Sequence, residues 1–202
     1  MKTRIIVAVM FVFSTLALCQ TDYFTTFRGH KVGGYLGTAG RVSSVFSDNA
    51  GYADLKGALV FDGKWAIGFT GSGLYYDKSL NRLVSDGTYH LQVAFGGLFV
   101  ERIFSVNDNF KVSASLMTGQ GEALYQYDRD YRKEKVWSEE IIDKTTFGVQ
   151  ELGIEIQHRI KGNFWLGLTG GYRNTSPLEL IDTPDDLLEK WNAGVSFKYG
   201  IF

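Results

Sequence analysis

The chain has one cysteine, Cys19, and only two prolines in 202 residues. A single thiol permits no intramolecular disulfide and no cysteine-ligated zinc or iron–sulfur centre. Net charge of one sign is also missing. The formal charge is -1, and Lys, Arg, Asp and Glu are mixed along the chain, so a nucleic-acid surface has no electrostatic basis. Long apolar runs are absent beyond Leu18, and the mean hydropathy is -0.08, too polar for a bundle of membrane-spanning helices. No nucleotide-binding glycine motif, EF-hand loop or catalytic signature stands out, and no cofactor or metal is expected.

What is abundant is aromatic residues, at 15%, and glycine, at 24 residues. Many short strands joined by tight turns give that profile. The first residues have a different character. Lys2 and Arg4 precede an apolar run from Ile5 to Leu18, which ends at Ala17-Leu18-Cys19. That order reads as a secretory signal peptide over residues 1–19, since a permanent span needs about 20 apolar residues. Lipidation of Cys19 would want a small residue before it, and Leu18 is bulky. Residues 20–31 then form a periplasmic N-terminal segment, and residues 32–202 form one β-domain.

Period-two alternation carries the fold prediction. Phe164, Leu166, Leu168 and Tyr172 share one parity, while Trp165, Gly167, Thr169 and Arg173 share the other. Trp191, Ala193, Val195, Phe197, Tyr199 and Ile201 repeat the apolar face against Asn192, Gly194, Ser196, Lys198 and Gly200. Earlier strands are predicted over 32–45, 52–61, 65–76, 88–103, 110–127 and 145–160. In the strand over 88–103, Tyr89, Leu91, Val93, Phe95 and Phe99 are assigned to the apolar outer face. A parity slip near Gln150-Glu151 predicts a β-bulge there.

Tight turns at Asp62-Gly63-Lys64, Val106 to Asn109 and Lys161-Gly162-Asn163 alternate with polar connections at Lys78 to Gly87, Arg129 to Lys144 and Asn174 to Lys190. The connection around Ser47 to Gly51 is short. Short periplasmic turns and longer extracellular loops are the habit of a closed antiparallel up-and-down transmembrane β-barrel, all-β, here of about eight strands. The second face of the strands holds small residues (Ala66, Gly68, Thr70, Ser72, Ser113, Ser115), as a narrow lumen requires. Aromatics near the strand ends, among them Trp65, Phe110, Phe164 and Trp165 at the turns and Tyr125, Tyr172 and Trp191 at the loops, fit two interfacial belts.

In its signal peptide, its alternating strands, its opening Phe27-Arg28-Gly29-His30-Lys31-Val32-Gly33-Gly34-Tyr35 and its terminal Phe202, the chain resembles the small outer-membrane β-barrel proteins of Gram-negative bacteria, with their porin-like fold. The resemblance implies residence in the cell outer membrane. It also implies contact with outer-membrane lipid and lipopolysaccharide, and handling by the barrel-assembly machinery. It implies no activity. Phe202 lies on the opposite parity from Ile201, Tyr199 and Phe197, which hold the apolar face.

Inward parity assigns Asp54, Lys56, His90, Gln92, Arg102, Lys111, Glu155, Gln157, Arg159, Arg173 and Lys198 to the lumen. A structural polar network of Lys56, Arg102, Lys111, Glu155, Arg159, Arg173 and Lys198 is expected there, because buried charges must be paired or wetted. His30, His90 and His158 are scattered. A lipid-modifying enzyme would need a serine–histidine pair such as Ser85 with His90. In the outer connections, Tyr131, Arg132, Trp137, Asp185 and Asp186 are the candidate contacts for a protein partner, and Thr183-Pro184-Asp185-Asp186 reads as a helix start in an otherwise solvated loop. The expectation is a non-enzymatic envelope barrel. The alternatives are a soluble exported lipocalin-like barrel holding an apolar ligand, and the lipid-modifying enzyme.

Overall fold

The computed structural model describes residues 25–27, 29–46, 48–76, 89–127 and 141–202. A short β1 (Thr25–Phe27) is followed by β2 (His30–Val45), β3 (Asp48–Phe61), β4 (Trp65–Tyr75), β5 (Tyr89–Ser105), β6 (Phe110–Tyr127), β7 (Ile141–Lys161), β8 (Phe164–Thr175) and β9 (Trp191–Ile201). Each strand pairs with the next, and β2 also pairs with β9 from Gly34↔Ile201 to Val42↔Ala193. The eight strands β2–β9 therefore close into a ring with no free edge. β1 lies on β2 below the end of β9, through Thr25↔Val32 to Phe27↔His30.

Turn chemistry sets the register at one end. Asp62 and Gly63 both have positive φ, 52° and 63°, as a tight hairpin turn demands. Asn107 Oδ1 accepts the amides of Asn109 (2.9 Å) and Phe110 (2.8 Å). His30 Nδ1 meets Asp62 Oδ2 at 2.7 Å, and the Lys31 amide donates to Asp62 Oδ1 at 2.9 Å, so the start of β2 is clasped to the β3–β4 turn.

Most outward side chains are apolar. Leu55 and Phe69 are each 71% exposed, and Leu168 is 66% exposed, in a belt continued by Leu36, Ile67, Leu98, Leu116, Leu152, Ile154 and Phe197. Such a belt runs around the whole ring and is too large for a surface meeting water. It is the surface of a barrel standing in hydrocarbon.

Three expectations are corrected here. The parity of β5 is inverted: Leu91, Val93, Phe95 and Phe99 are buried inside, whereas Gln92, Leu98 and Val100 face out, with His90 and Arg102 on the same outward side. No bulge lies at Gln150-Glu151, where pairing runs unbroken to Thr118 and Met117 and to Asn174 and Arg173. The register shifts lie instead at Tyr125/Gln126 and at Arg159/Lys161. The apparent slip arose because Phe147 and Val149 are apolar yet inward, 2% exposed each. Finally, Tyr125 and Trp165 do not join interfacial belts. Both are buried in the lumen.

Two measurements check this geometry. Leu55→Arg, placed in the lipid belt, should lower unfolding free energy in a bilayer by about 2–4 kcal/mol. A loss under about 0.5 kcal/mol would mean that β3 presents its other face to lipid. At the clasp, the His30 hydrogen bond first, and the Lys31 amide second, hold the Asp62 carboxyl below its ordinary value. A depressed folded pKa stabilises above the ordinary carboxylate value, and that contribution is lost as pH falls through the lower folded one. The Asp62 carbon resonance should therefore titrate with a midpoint below about 3.9. A midpoint at or above that value counts against the clasp.

Candidate functional site

The lumen is filled in layers. In the layer nearer the tight turns, Lys198 Nζ sits 3.1 Å from Glu101 Oε1 and 2.8 Å from Glu155 Oε2. Tyr35 OH and Ser113 Oγ donate to Glu101, and Ser196 Oγ donates to Glu155. Every one of these groups projects from an inward position of β2, β5, β6, β7 or β9.

A second layer lies nearer the long loops. Arg41 reaches Asp54 through Nε (2.5 Å) and Nη2 (2.9 Å), a bidentate fork on the carboxylate. Its Nη1 also donates to Glu151 and to Asn192 Oδ1. Arg173 Nε donates to Glu151 Oε2 at 3.1 Å, and its guanidinium lies 4.4 Å from the Tyr52 ring centroid and 4.3 Å from that of Phe95. Arg41 and Arg173 thus face Asp54 and Glu151, so the layer is formally neutral. The space left beside Arg41, Lys56, Glu155 and Lys198 is about 10 Å³, room for one water.

Side chains also pack inward at both mouths. At the loop end, the connection from Ser176 to Lys190 folds inward, burying Leu178, Leu180, Leu187 and Leu188 against a cluster containing Val45, Phe95 and Phe147. Ser176 Oγ accepts the Gly148 amide (2.8 Å), the Ile181 amide donates to Asp143 Oδ2 (2.9 Å), and Thr183 Oγ1 meets Tyr125 OH (2.5 Å). The expected solvated loop is therefore a plug. Its Thr183-Pro184-Asp185-Asp186 stretch forms isolated turns, with Leu187 N bonded to Pro184 O and Glu189 N to Asp186 O, and no helix. Two prolines and the positive φ of Asp182 (54°) suit turns better than a continuous helix. At the turn end, Phe202 packs inward on Tyr35 (5.3 Å) and Trp165 (5.2 Å).

Of the lumen residues expected from parity, Glu155, Arg173 and Lys198 lie in these buried layers, and Lys56 lies 5.7 Å from the Phe99 ring centroid. Lys111 and Arg159 sit apart at the turn mouth over Trp165, at 4.7 and 4.6 Å. Arg102 faces outward, over Trp65 (4.8 Å) and Phe104 (5.4 Å), which corrects its assignment. Its neighbour Glu101 takes the inward place. Arg41, Glu101 and Glu151 were missed. The alternation of small residues in Gly37, Ala39 and Ser43 would have put Arg41 inside. The charge of Glu101 could be placed only by knowing that Lys198 waits opposite. Asp185 and Asp186 are exposed on the plug. Tyr131, Arg132, Trp137 and Ser85, like the signal segment, lie outside the described residues.

His30 holds Asp62, and His158 Nδ1 contacts Asn109 O (3.2 Å) while stacking on Phe110 at 4.5 Å. His90 stands on the outer wall of β5.

No family model matches the chain, and no curated protein sequence does. Solved structures do. The attachment invasion locus protein Ail of Yersinia pestis superposes with a TM-score of 0.50 at 12% identity, covering 86% of this chain and 99% of Ail. Neisserial surface protein A gives a TM-score of 0.52 at 7% identity, covering 84% and 96%. The likeness is one of fold: eight antiparallel up-and-down strands in a closed ring.

If the Lys198 layer is an ion-pair core, Lys198→Met leaves two buried carboxylates uncompensated. It should cost about 3–5 kcal/mol of unfolding free energy. Adding Glu101→Gln and Glu155→Gln should restore most of that loss. No recovery in the triple variant would mean that shape, and not charge, makes Lys198 necessary.

Proposed function

We propose that this small outer-membrane-type barrel is a non-enzymatic protein of the cell outer membrane whose lumen is structural and whose loop end meets a partner. The observation that carries the reading is the filled interior. Two ion-pair layers cross the middle of the lumen with room for about one water beside them, and a leucine plug and an aromatic floor pack against its ends, so a diffusing solute has no path through the described interior. The lipocalin-like alternative needs an apolar cavity within and a polar wall without, the reverse of this arrangement. Function is then left to the outer surfaces. The belt meets outer-membrane lipid, the tight turns face the periplasm, and the long loops meet lipopolysaccharide and whatever approaches the cell.

The described part of that outer rim is acidic. Glu179, Asp182, Asp185 and Asp186 are exposed around Ile181, itself 56% exposed. A partner offering basic side chains around a small apolar contact fits this surface. The segment Arg129 to Glu140, with Tyr131, Arg132 and Trp137, is proposed to extend it. β7 begins at Ile141, so residues up to Lys144 belong to the wall.

Three measurements test this reading. The mature protein should require detergent or lipid and should shift in gel mobility on boiling; a soluble, unshifted monomer would refute membrane residence. In planar bilayers it should give no steady single-channel conductance, because no continuous water path crosses the ion-pair layers. On intact cells, a photo-crosslinking residue replacing Ile181 should capture a discrete protein band that Asp182→Asn/Asp185→Asn/Asp186→Asn weakens. The same residue at Val106, exposed on the opposite mouth, should not. Capture at Val106 alone would reverse the topology, and capture at neither would remove the protein partner.

A further inference from the structure

The wall parts on one side near the long loops. The β4–β5 ladder stops at Gly73↔Ala94, although β4 runs on to Tyr75 and β5 starts at Tyr89. Beyond that pair, among the described residues, each strand keeps only its other neighbour. Leu74 and Tyr75 pair with Tyr52 and Gly51 of β3, and residues 89–93 pair with residues 123–127 of β6. At this parting lies a cavity of about 390 Å³. Its back is apolar, formed by Leu74, Tyr76, Leu91 and Val93. Tyr76, Leu91 and Val93 are buried in the cluster that holds the plug leucines, and Leu74 packs against that cluster. His90, Gln92 and Glu122 stand at the rim. Beneath the cavity lies the Arg41 layer, since the next inward residue on β4, Ser72, donates from Oγ to Asp54 Oδ1 (2.5 Å).

The approach from the lipid belt is bare. Going up the ladder toward the parting, successive outward pairs are Phe69↔Leu98, Gly71↔Gly96 and Gly73↔Ala94. Phe69 and Leu98 belong to the belt, 71% and 52% exposed. At Gly71 and Gly73 a Cβ would meet nothing within 4 Å. An alkyl chain lying against Phe69 therefore meets no β4 side chain between the belt and the parting. Inside, the apolar back offers water few hydrogen-bond partners, and unfilled space beside it forfeits dispersion contacts. The volume falls within the range of small-ligand sites, about 300–1,000 Å³. We propose that the parting of β4 and β5 is a lateral binding site for one alkyl chain of a lipid in the loop-side leaflet. The chain enters over Gly71 and Gly73 and ends against Leu74, Leu91 and Val93. The occupant is a lipid because the opening faces sideways onto the belt, where alkyl chains are the solvent. Gln92 Nε2 is already given to Gln126 Oε1 (2.7 Å), so Gln92 Oε1 and the Glu122 carboxylate present acceptors. That rim suits a headgroup carrying amine or hydroxyl donors. The inference rests on the membrane placement argued above.

The test is photo-labelling in nanodiscs. The protein is folded into a phosphatidylglycerol bilayer carrying a phosphatidylethanolamine with a diazirine in one acyl chain, and adducts are mapped by peptide mass spectrometry. Lipid around the barrel should mark outward residues such as Phe69, Leu98 and Leu168 whether or not the cavity fills. Occupancy of the cavity should add adducts at Leu74, Leu91 and Val93, whose side chains face inward. Gly73→Trp, at the entrance and with open space for a side chain, should remove the inward adducts and keep those on the belt. Leu168→Trp, on β8 away from the parting, should leave the inward adducts in place. If Gly73→Trp fails the boiling shift, Ala94→Trp takes its place with the same expectation, and if both fail the wild-type map decides. Adducts confined to outward residues overturn the site, as do inward adducts that persist in a folded entrance variant. Absence of belt adducts removes the membrane placement itself, and the site with it.

Discussion

The ammonium of Lys198 between Glu101 and Glu155 is the contact around which the rest of the molecule is arranged. A ring of eight strands leaves an interior about as wide as its own side chains, so each inward residue must fit its neighbours across the lumen. A cation buried there is tolerable only with carboxylates at hydrogen-bond distance, and those carboxylates need further donors. Tyr35, Ser113 and Ser196 supply them, from β2, β6 and β9. The contact therefore ties strands far apart in sequence, and any shift of register by one residue would turn one of these charges into the hydrocarbon. The polar layer fixes pairing as much as it fills space.

Small residues make room for this layer. A Cβ on Gly167 would fall 2.4 Å from Ser196 Oγ and 2.7 Å from Glu155 Oε1, inside the hydrogen bond those two groups make. On β5 and β6, Gly97 and Gly119 face each other across the ladder, each with main-chain oxygen about where a Cβ would go (2.1 and 2.0 Å). The wall is drawn tight there, and this is one reason the barrel has no continuous channel.

Strand number, closure, the tight turns and the outer faces of β4, β8 and β9 were legible from alternation alone, because there the outward side is apolar and the inward side small or polar. Phe69 with Thr70, Leu168 with Thr169, and Phe197 with Lys198 are read without ambiguity. β5 was not legible, for a physical reason. Its inward side carries Leu91, Val93, Phe95 and Phe99 in a lumen half packed with hydrocarbon, while its outward side carries Gln92, Ala94 and Gly96. Alternation then reports which face is more apolar, and near the loops that face is the interior. Phe147 and Val149 misled in the same way and imitated a bulge. The plug escaped for a related reason: Leu178, Leu180, Leu187 and Leu188 are spaced among acidic residues, so the segment looks polar until the open mouth it covers is known. Asp185 and Asp186 were legible as exposed acids, and both are exposed on the plug.

The division of the lumen into two charged layers and an apolar loop mouth has a consequence for how closure is achieved. The hairpin β8–β9 carries the plug in its connection, Lys198 and Ser196 on its second strand, and the edge that meets β2. Its ordering thus delivers three things together: the last row of main-chain hydrogen bonds, the cation that pairs with Glu101 and Glu155, and the leucines that cover Phe95 and Phe147. Before that step, two carboxylates and an apolar mouth stand uncompensated beside an open strand edge. Each of the three would be costly alone, in lipid as in water. Placing all of them on one hairpin makes a partly closed barrel unfavourable in every respect at once, so closure is cooperative. Lys111 and Arg159 stand outside this arrangement at the turn mouth, where Lys111 donates to the Phe202 oxygen and both share the Trp165 ring.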